Sequence, residues 1–295
     1  MNANEEKKTR GIQDLSYWGS VFFQLKKNKM AMGSIIVLTL VVVACIFIPI
    51  LSPHDHITTN LAAVDAAPDE VYILGTDQLG RDIFTRFFYA GRISLGIALL
   101  VTAVTCIVGV VLGGIAGYYG KLIDDIIMRI SEIIMSFPFI LFCIMVAGLF
   151  GNTIAILIGI LVFLSWPNIA RMVRGQILTL RELEYMQACE ALGISDYKRI
   201  FRHLLPNVMA FVIVYATLNM ATVILTETAL SFLGLGVAPP TPSWGTMIQE
   251  ARNPIVLRDR WWQWLPPGIA IFIAVMCFNL VGDGLRDAID PKMKR

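Results

Sequence analysis

The sequence predicts an all-α membrane protein of six transmembrane helices with both termini in the cytoplasm. Three observations carry this. Of the 295 residues, 56% are hydrophobic and only 16% charged; the apolar residues gather into long runs; and Lys and Arg collect on one side of those runs. An ordinary soluble domain of this length has a larger charged share. A net charge of +2, with basic residues scattered among loops, gives no footprint for nucleic acid.

The chain divides into a tail with an amphipathic helix (1–29), a membrane domain (30–290) and a short basic end (291–295). The first residues lack the apolar core and small-residue cleavage site of a secretory signal, so they are expected to stay in the mature protein. From about Asp14 to Lys29, Leu15, Trp18, Phe22 and Leu25 recur at helical spacing before Lys26, Lys27 and Lys29. That pattern fits a helix lying on the membrane with its lysines among lipid phosphates, or a helix packed on the protein's cytoplasmic side.

A bilayer-crossing helix needs about 20 apolar residues. The expected spans are about 31–51, 93–118, 126–150, 153–169, 208–235 and 265–281. Pro49 and Pro53 end the first. In the second, Gly109, Gly113 and Gly117 recur every fourth residue, a stripe that lets another helix approach closely. Pro138 predicts a kink in the third, and the length of the fifth predicts tilt. Residues 52–92 are acidic and suit an external loop, built in part by Arg81, Asp82 and Arg86. Residues 236–263 are rich in Pro and Gly, with Trp261, Trp262 and Trp264 placed for an outer aromatic belt. With both termini inside, all of the 24 Lys and Arg except Arg81, Arg86, Arg92, Arg252, Arg258 and Arg260 face the cytoplasm. The positive-inside rule therefore selects that orientation.

Cys45, Cys106, Cys143 and Cys277 lie in apolar runs and Cys189 in a polar stretch, with no metal or disulfide spacing, so they read as small apolar fillers. His54 and His56 flank Asp55 without further ligands nearby, the pattern of a solvated turn.

The cytoplasmic loop 171–207 holds a polar island, Glu184–Asn207. A helix is expected from Arg181 to Leu192, closed by Gly193. Ser195 is placed to cap a second helix, in which Tyr197, Ile200, Phe201, Leu204 and Leu205 share one face and Lys198, Arg199, Arg202 and His203 the other. Pro206 is expected to end it.

This loop resembles the EAA signature of ABC-importer permease subunits: EAA, three residues, Gly, nine residues, Ile, any residue, Leu-Pro. Here it reads Gln187-Ala188-Cys189, Gly193, His203, Leu205-Pro206, with the spacing kept and Gln187, Cys189 and His203 departing in identity. LGTDQLGRDIFTRFFYAGRISL (Leu74–Leu95), MRISEIIMSFPF (Met128–Phe139), LSFLGLGVAPPTPSWG (Leu230–Gly245) and FNLVGDGLRDAIDPK (Phe278–Lys292) are similar to the peptide and nickel branch. They look most like the C-type permease of an oligopeptide importer.

The resemblance implies a pore subunit that is not itself an enzyme, in the cytoplasmic (inner) membrane. It pairs with a homologous second permease, two cytoplasmic ATPase subunits that hold ATP and Mg, and an external substrate-binding protein that delivers the peptide. It assigns contact with the ATPase to Gln187, Ala188, Cys189, Glu190, Ala191, Leu192, Gly193 and Asp196. Dipeptide, glutathione or nickel-chelate import is the near alternative. No cofactor is expected on this chain, which has no GxxxxGK[ST] phosphate loop.

Glu227 is the carboxylate clearly inside a span, where an unpartnered charge costs about 2.5 kcal/mol or more. It therefore faces inward, either lining the translocation path and pairing with a peptide amino group, or making an interhelical hydrogen bond. Asn219 and Asn279 are expected to bond between helices, with path lining as the second role. Asp283, Arg286 and Asp287 are read as a solvated helix end. An ion-coupled secondary transporter predicts several intramembrane carboxylates and a repeat between halves, and an intramembrane protease predicts HExxH, GxSxG or an Asp pair; none of these patterns stands in the sequence.

Overall fold

The computed structural model describes residues 17–289. The beginning of the amphipathic helix and the basic end 291–295 lie outside them. Helix α1 (Tyr17–Lys27) stops at Asn28, whose Oδ1 accepts from the backbone N–H groups of Met30 and Ala31 at 3.1 Å and so starts α2 (Lys29–Leu51). Val21 and Leu25 of α1 are buried with Ala31 and Ala288, while Phe22, Lys26 and Lys27 are exposed.

Helix α3 (Ile83–Tyr119) begins at Ile83 instead of about residue 93. The earlier start has two supports. Asp82 accepts from Thr85 N at 2.9 Å, and the buried Arg86 is compensated by His56 O at 2.7 Å and Asp77 at 3.4 Å. The polar residues of the 52–82 connection thus lengthen the helix beyond its apolar run.

The expected kink at Pro138 is a break. Helices α4 (Lys121–Ser136) and α5 (Phe139–Phe150) meet at 85°. Phe137 is extended, at φ −72° and ψ 131°, the backbone that a following proline imposes by steric clash.

Helix α6 (Ile154–Arg181) does not end near Ile169 but runs through Pro167 to Arg181. It packs on α3 along the glycine stripe, the most extensive helix pairing in the fold. A Cβ on Gly109 would stand 3.0 Å from Ile169 Cβ, and one on Gly117 3.0 Å from Arg174 O.

Helix α7 (Glu184–Ala191) is short. Helix α8 (Asp196–Phe232) then continues through Pro206, which was expected to end it. A π-helical segment, Arg199–Leu204, precedes the proline, and Leu205 N bonds Ile200 O. The wider turns carry the chain past a residue that has no N–H to give.

Helices α9 (Trp244–Gln249) and α10 (Pro254–Asp259) form the connection between α8 and the last long helix. Helix α11 (Trp261–Ile289) packs on α8 and α2, and Asp283, Arg286 and Asp287 are exposed in its last turns, the solvated helix end expected. Of the expected aromatic belt, Trp261 is half exposed and Trp264 half-buried. Trp262 is buried and donates its indole N–H to Thr76 O at 3.3 Å.

Five helices are long and apolar enough to cross a membrane, six spans in all when the bent α4–α5 pair counts as one. Among the described residues the apolar core has a large cluster around Trp244, Val101, Leu161 and Ile224, and a second around Tyr118, Ile169, Met186 and Leu204, beneath α7.

Candidate functional site

Helix α7 is attached to the bundle by Met186, which is buried between Tyr118 and Leu204 in the second cluster. The residues expected to meet an ATPase point the other way. Gln187, Ala188, Glu190, Ala191, Leu192, Gly193 and Asp196 are exposed and Cys189 is half-buried. Leu192 is 79% exposed, an apolar side chain that nothing in the described chain covers.

The island is not one helix from Arg181 to Leu192. Arg181 closes α6, the chain turns at Glu182 and Leu183, and α7 starts afresh. Gly193, at φ +67°, closes it as expected. Gly193 N bonds Glu190 O at 2.9 Å and Ile194 N reaches back to Cys189 O at 3.0 Å, the pattern of a glycine-terminated helix. Ser195 makes no side-chain cap bond. The apolar face expected on the second helix is divided: Leu204 is buried, whereas Tyr197 and Phe201 are exposed with their rings 4.6 Å apart.

Glu227 is 1% exposed and held by three serines. Ser231 Oγ and Ser243 Oγ donate to its Oε1 at 2.7 and 2.8 Å, and Ser94 Oγ to its Oε2 at 3.4 Å. Ser94 Oγ also accepts from Trp244 N at 3.1 Å. The carboxylate thus joins α3, α8 and the start of α9. Asn219 Nδ2 donates to Thr102 Oγ1 at 3.1 Å, a bond between α8 and α3, and Asn279 is half-buried on α11. The structure does not bring these three residues together around one cavity among those described.

At the opposite end from α7, Asp77, Arg81, Arg86, Glu250 and Gln263 surround a cleft of about 80 Å³. Arg81 pairs with Asp77 at 2.7 Å and Gln78 donates to Glu250 at 2.9 Å. Burial, with Asp77 nearby, pushes the Glu250 carboxyl up from its ordinary value. Arg81 and Arg86 therefore build the connection before α3, and Asp82 caps that helix.

Sequence reasoning did not single out Tyr118, Ser94 or Ser243. Tyr118 sits beside the glycine stripe and Ser243 directly before Trp244, but their partners lie far along the chain.

Residues 109–295 match the family model described as binding-protein-dependent transport system inner membrane component. The chain belongs to this family. Residues 16–68 also match the N-terminal TM domain of oligopeptide transport permease C. Among similar proteins, the dipeptide transport system permease protein DppC of Bacillus subtilis (strain 168) is 39% identical over 281 residues, covering 95% of this chain and 88% of the relative. The oligopeptide transport system permease protein OppC of the same organism is 38% identical, covering 96% and 92%. The glutathione transport system permease protein GsiD of Pectobacterium atrosepticum is 36% identical, covering 94% and 92%. As an inner membrane component, the chain is a multi-pass membrane protein, which explains the wide apolar surfaces left open on α2, α4 and α5.

Proposed function

We propose that this family member is the transmembrane permease subunit of an ATP-driven importer that moves oligopeptides across the cytoplasmic membrane. The observation that carries the reading is α7: an eight-residue helix anchored by one buried side chain and otherwise presented outward, on a loop with the EAA spacing. A helix so attached is suited to fit a cleft of a partner and to pass a rigid-body displacement to the spans. ATP and Mg belong to two cytoplasmic ATPase subunits, and a homologous second permease completes the pore. An external binding protein supplies the peptide at the 52–82 and 236–260 connections. In this reading both termini are cytoplasmic. The names of the relatives support peptides as the substrate class, and dipeptide or glutathione import is the neighbouring reading.

The test is to purify the tagged chain with what assembles on it and measure uptake of labelled peptides into proteoliposomes. Co-purified ATPases and ATP-dependent uptake are expected, and a solitary chain that transports without ATP would refute the reading. Competition by peptides of increasing length separates dipeptide from oligopeptide import.

Gly193 offers a sharper check. A Cβ there meets nothing within 4 Å in the described chain, so a large side chain fits this subunit. Gly193→Ala and Gly193→Trp share the backbone penalty of a left-handed residue, on the order of 1–2 kcal/mol. The tryptophan alone adds bulk facing a partner. Uptake is expected to fall much further for Gly193→Trp than for Gly193→Ala, with equal amounts of subunit in the membrane. Equal uptake in the two variants counts against a partner at this face.

A further inference from the structure

At the inner end of the bundle one guanidinium gathers several elements. Arg199, in the first turns of α8, reaches Asp196 Oδ1 at 2.6 Å and Glu190 Oε2 of α7 at 3.3 Å. Asp196 Oδ1 also accepts from the hydroxyl of Tyr118 at 2.9 Å. Tyr118 lies in the last turn of α3, with its ring 5.8 Å from the Arg199 guanidinium and packed in the cluster that holds Met186. Its backbone carbonyl accepts from Arg181 Nη1, at the end of α6, at 2.8 Å. A line of polar contacts therefore runs Glu190–Arg199–Asp196–Tyr118, from α7 to the ends of α3 and α6.

These pairs do little for stability. The Glu190 and Asp196 side chains are 74% and 50% exposed, and ion pairs so placed are worth roughly 0–1 kcal/mol. What the line does supply is direction. Met186 is a single apolar anchor about which a short helix can pivot. The ion pair from Glu190, near the other end of α7, adds a second point of attachment and fixes the helix against the bundle.

We propose that Tyr118 is a positioning residue for energy coupling: through Asp196 and Arg199 it fixes the angle of α7, so that a displacement of α7 reaches α3 and α8 together. This rests on the reading of α7 as the element that receives the ATPase. Tyr118→Phe removes one oxygen and leaves the ring in its cluster, and Asp196→Ala removes the shared acceptor.

The experiment measures, in the full purified complex in proteoliposomes, labelled oligopeptide taken up per ATP hydrolysed, together with melting temperature and subunit ratio. Each single variant is expected to lower uptake per ATP several-fold with melting and subunit ratio unchanged. The double variant is expected to be no worse than the more affected single one, because both break the same line. If the wild-type complex is ATP-coupled and Tyr118→Phe keeps its ratio, or loses uptake only in step with lost assembly, the proposal fails alone. If the wild-type complex imports without ATP, the reading of α7 fails and takes the proposal with it.

Discussion

Gly113→Leu is expected to abolish recovery of folded protein from the membrane. A Cβ at Gly113 would stand 2.9 Å from Ala170 Cα and 3.0 Å from Ala170 C, so the obstacle is backbone of α6 and has no rotamer to change. Overpacking a core that can adjust costs about 1–3 kcal/mol. Here the helices must separate along the fold's largest interface, and the cost exceeds that range. Gly96→Leu, on the same helix, is the control: a Cβ there meets nothing within 4 Å and the position is exposed. Yield and melting temperature after detergent extraction are the readouts. Similar losses in the two variants would show that the stripe is not what holds α3 to α6.

Glu227→Ala is expected to loosen the 236–249 connection. It removes the shared acceptor of the Ser94, Ser231 and Ser243 hydroxyls in a buried site, and each donor left unsatisfied costs about 1–3 kcal/mol. Glu227→Gln keeps the shape and an acceptor oxygen, and so retains most of the stability. Amide hydrogen exchange over 236–249 is expected to rise strongly for Ala and little for Gln. If instead Gln leaves exchange unchanged but lowers uptake selectively for peptides with a free amino terminus, the carboxylate acts on the substrate and not on the connection.

These two sites mark what was legible in the sequence. Gly109, Gly113 and Gly117 were readable because a packing stripe is a local repeat on one helix. Gly193 was readable because a left-handed turn leaves its own residue type. The hydrogen-bond set of Glu227 was not readable, since Ser94 lies 133 residues away and Ser243 sixteen, and nothing in the local pattern links them.

Several helices run through prolines that were expected to lie at or near their ends. Pro49, Pro167, Pro206, Pro266 and Pro267 lie inside α2, α6, α8 and α11, and before Pro206 a π-helical segment takes up the broken hydrogen bonding. At Pro53 and Pro138 the preceding residue is extended and the helix ends there. The island's outward residues were assigned by the resemblance to the EAA loop. The link through Tyr118 was not, because its partner Asp196 lies 78 residues away.

If α7 meets an ATPase in the cytoplasm, the contact can be captured directly. The most direct test places a photo-activated cross-linker at Leu192, which is 79% exposed beside Gly193, in membranes that import peptide. An adduct between this chain and a nucleotide-binding subunit is expected. Active transport with no such adduct, or an adduct with the external binding protein, would contradict the proposed contact.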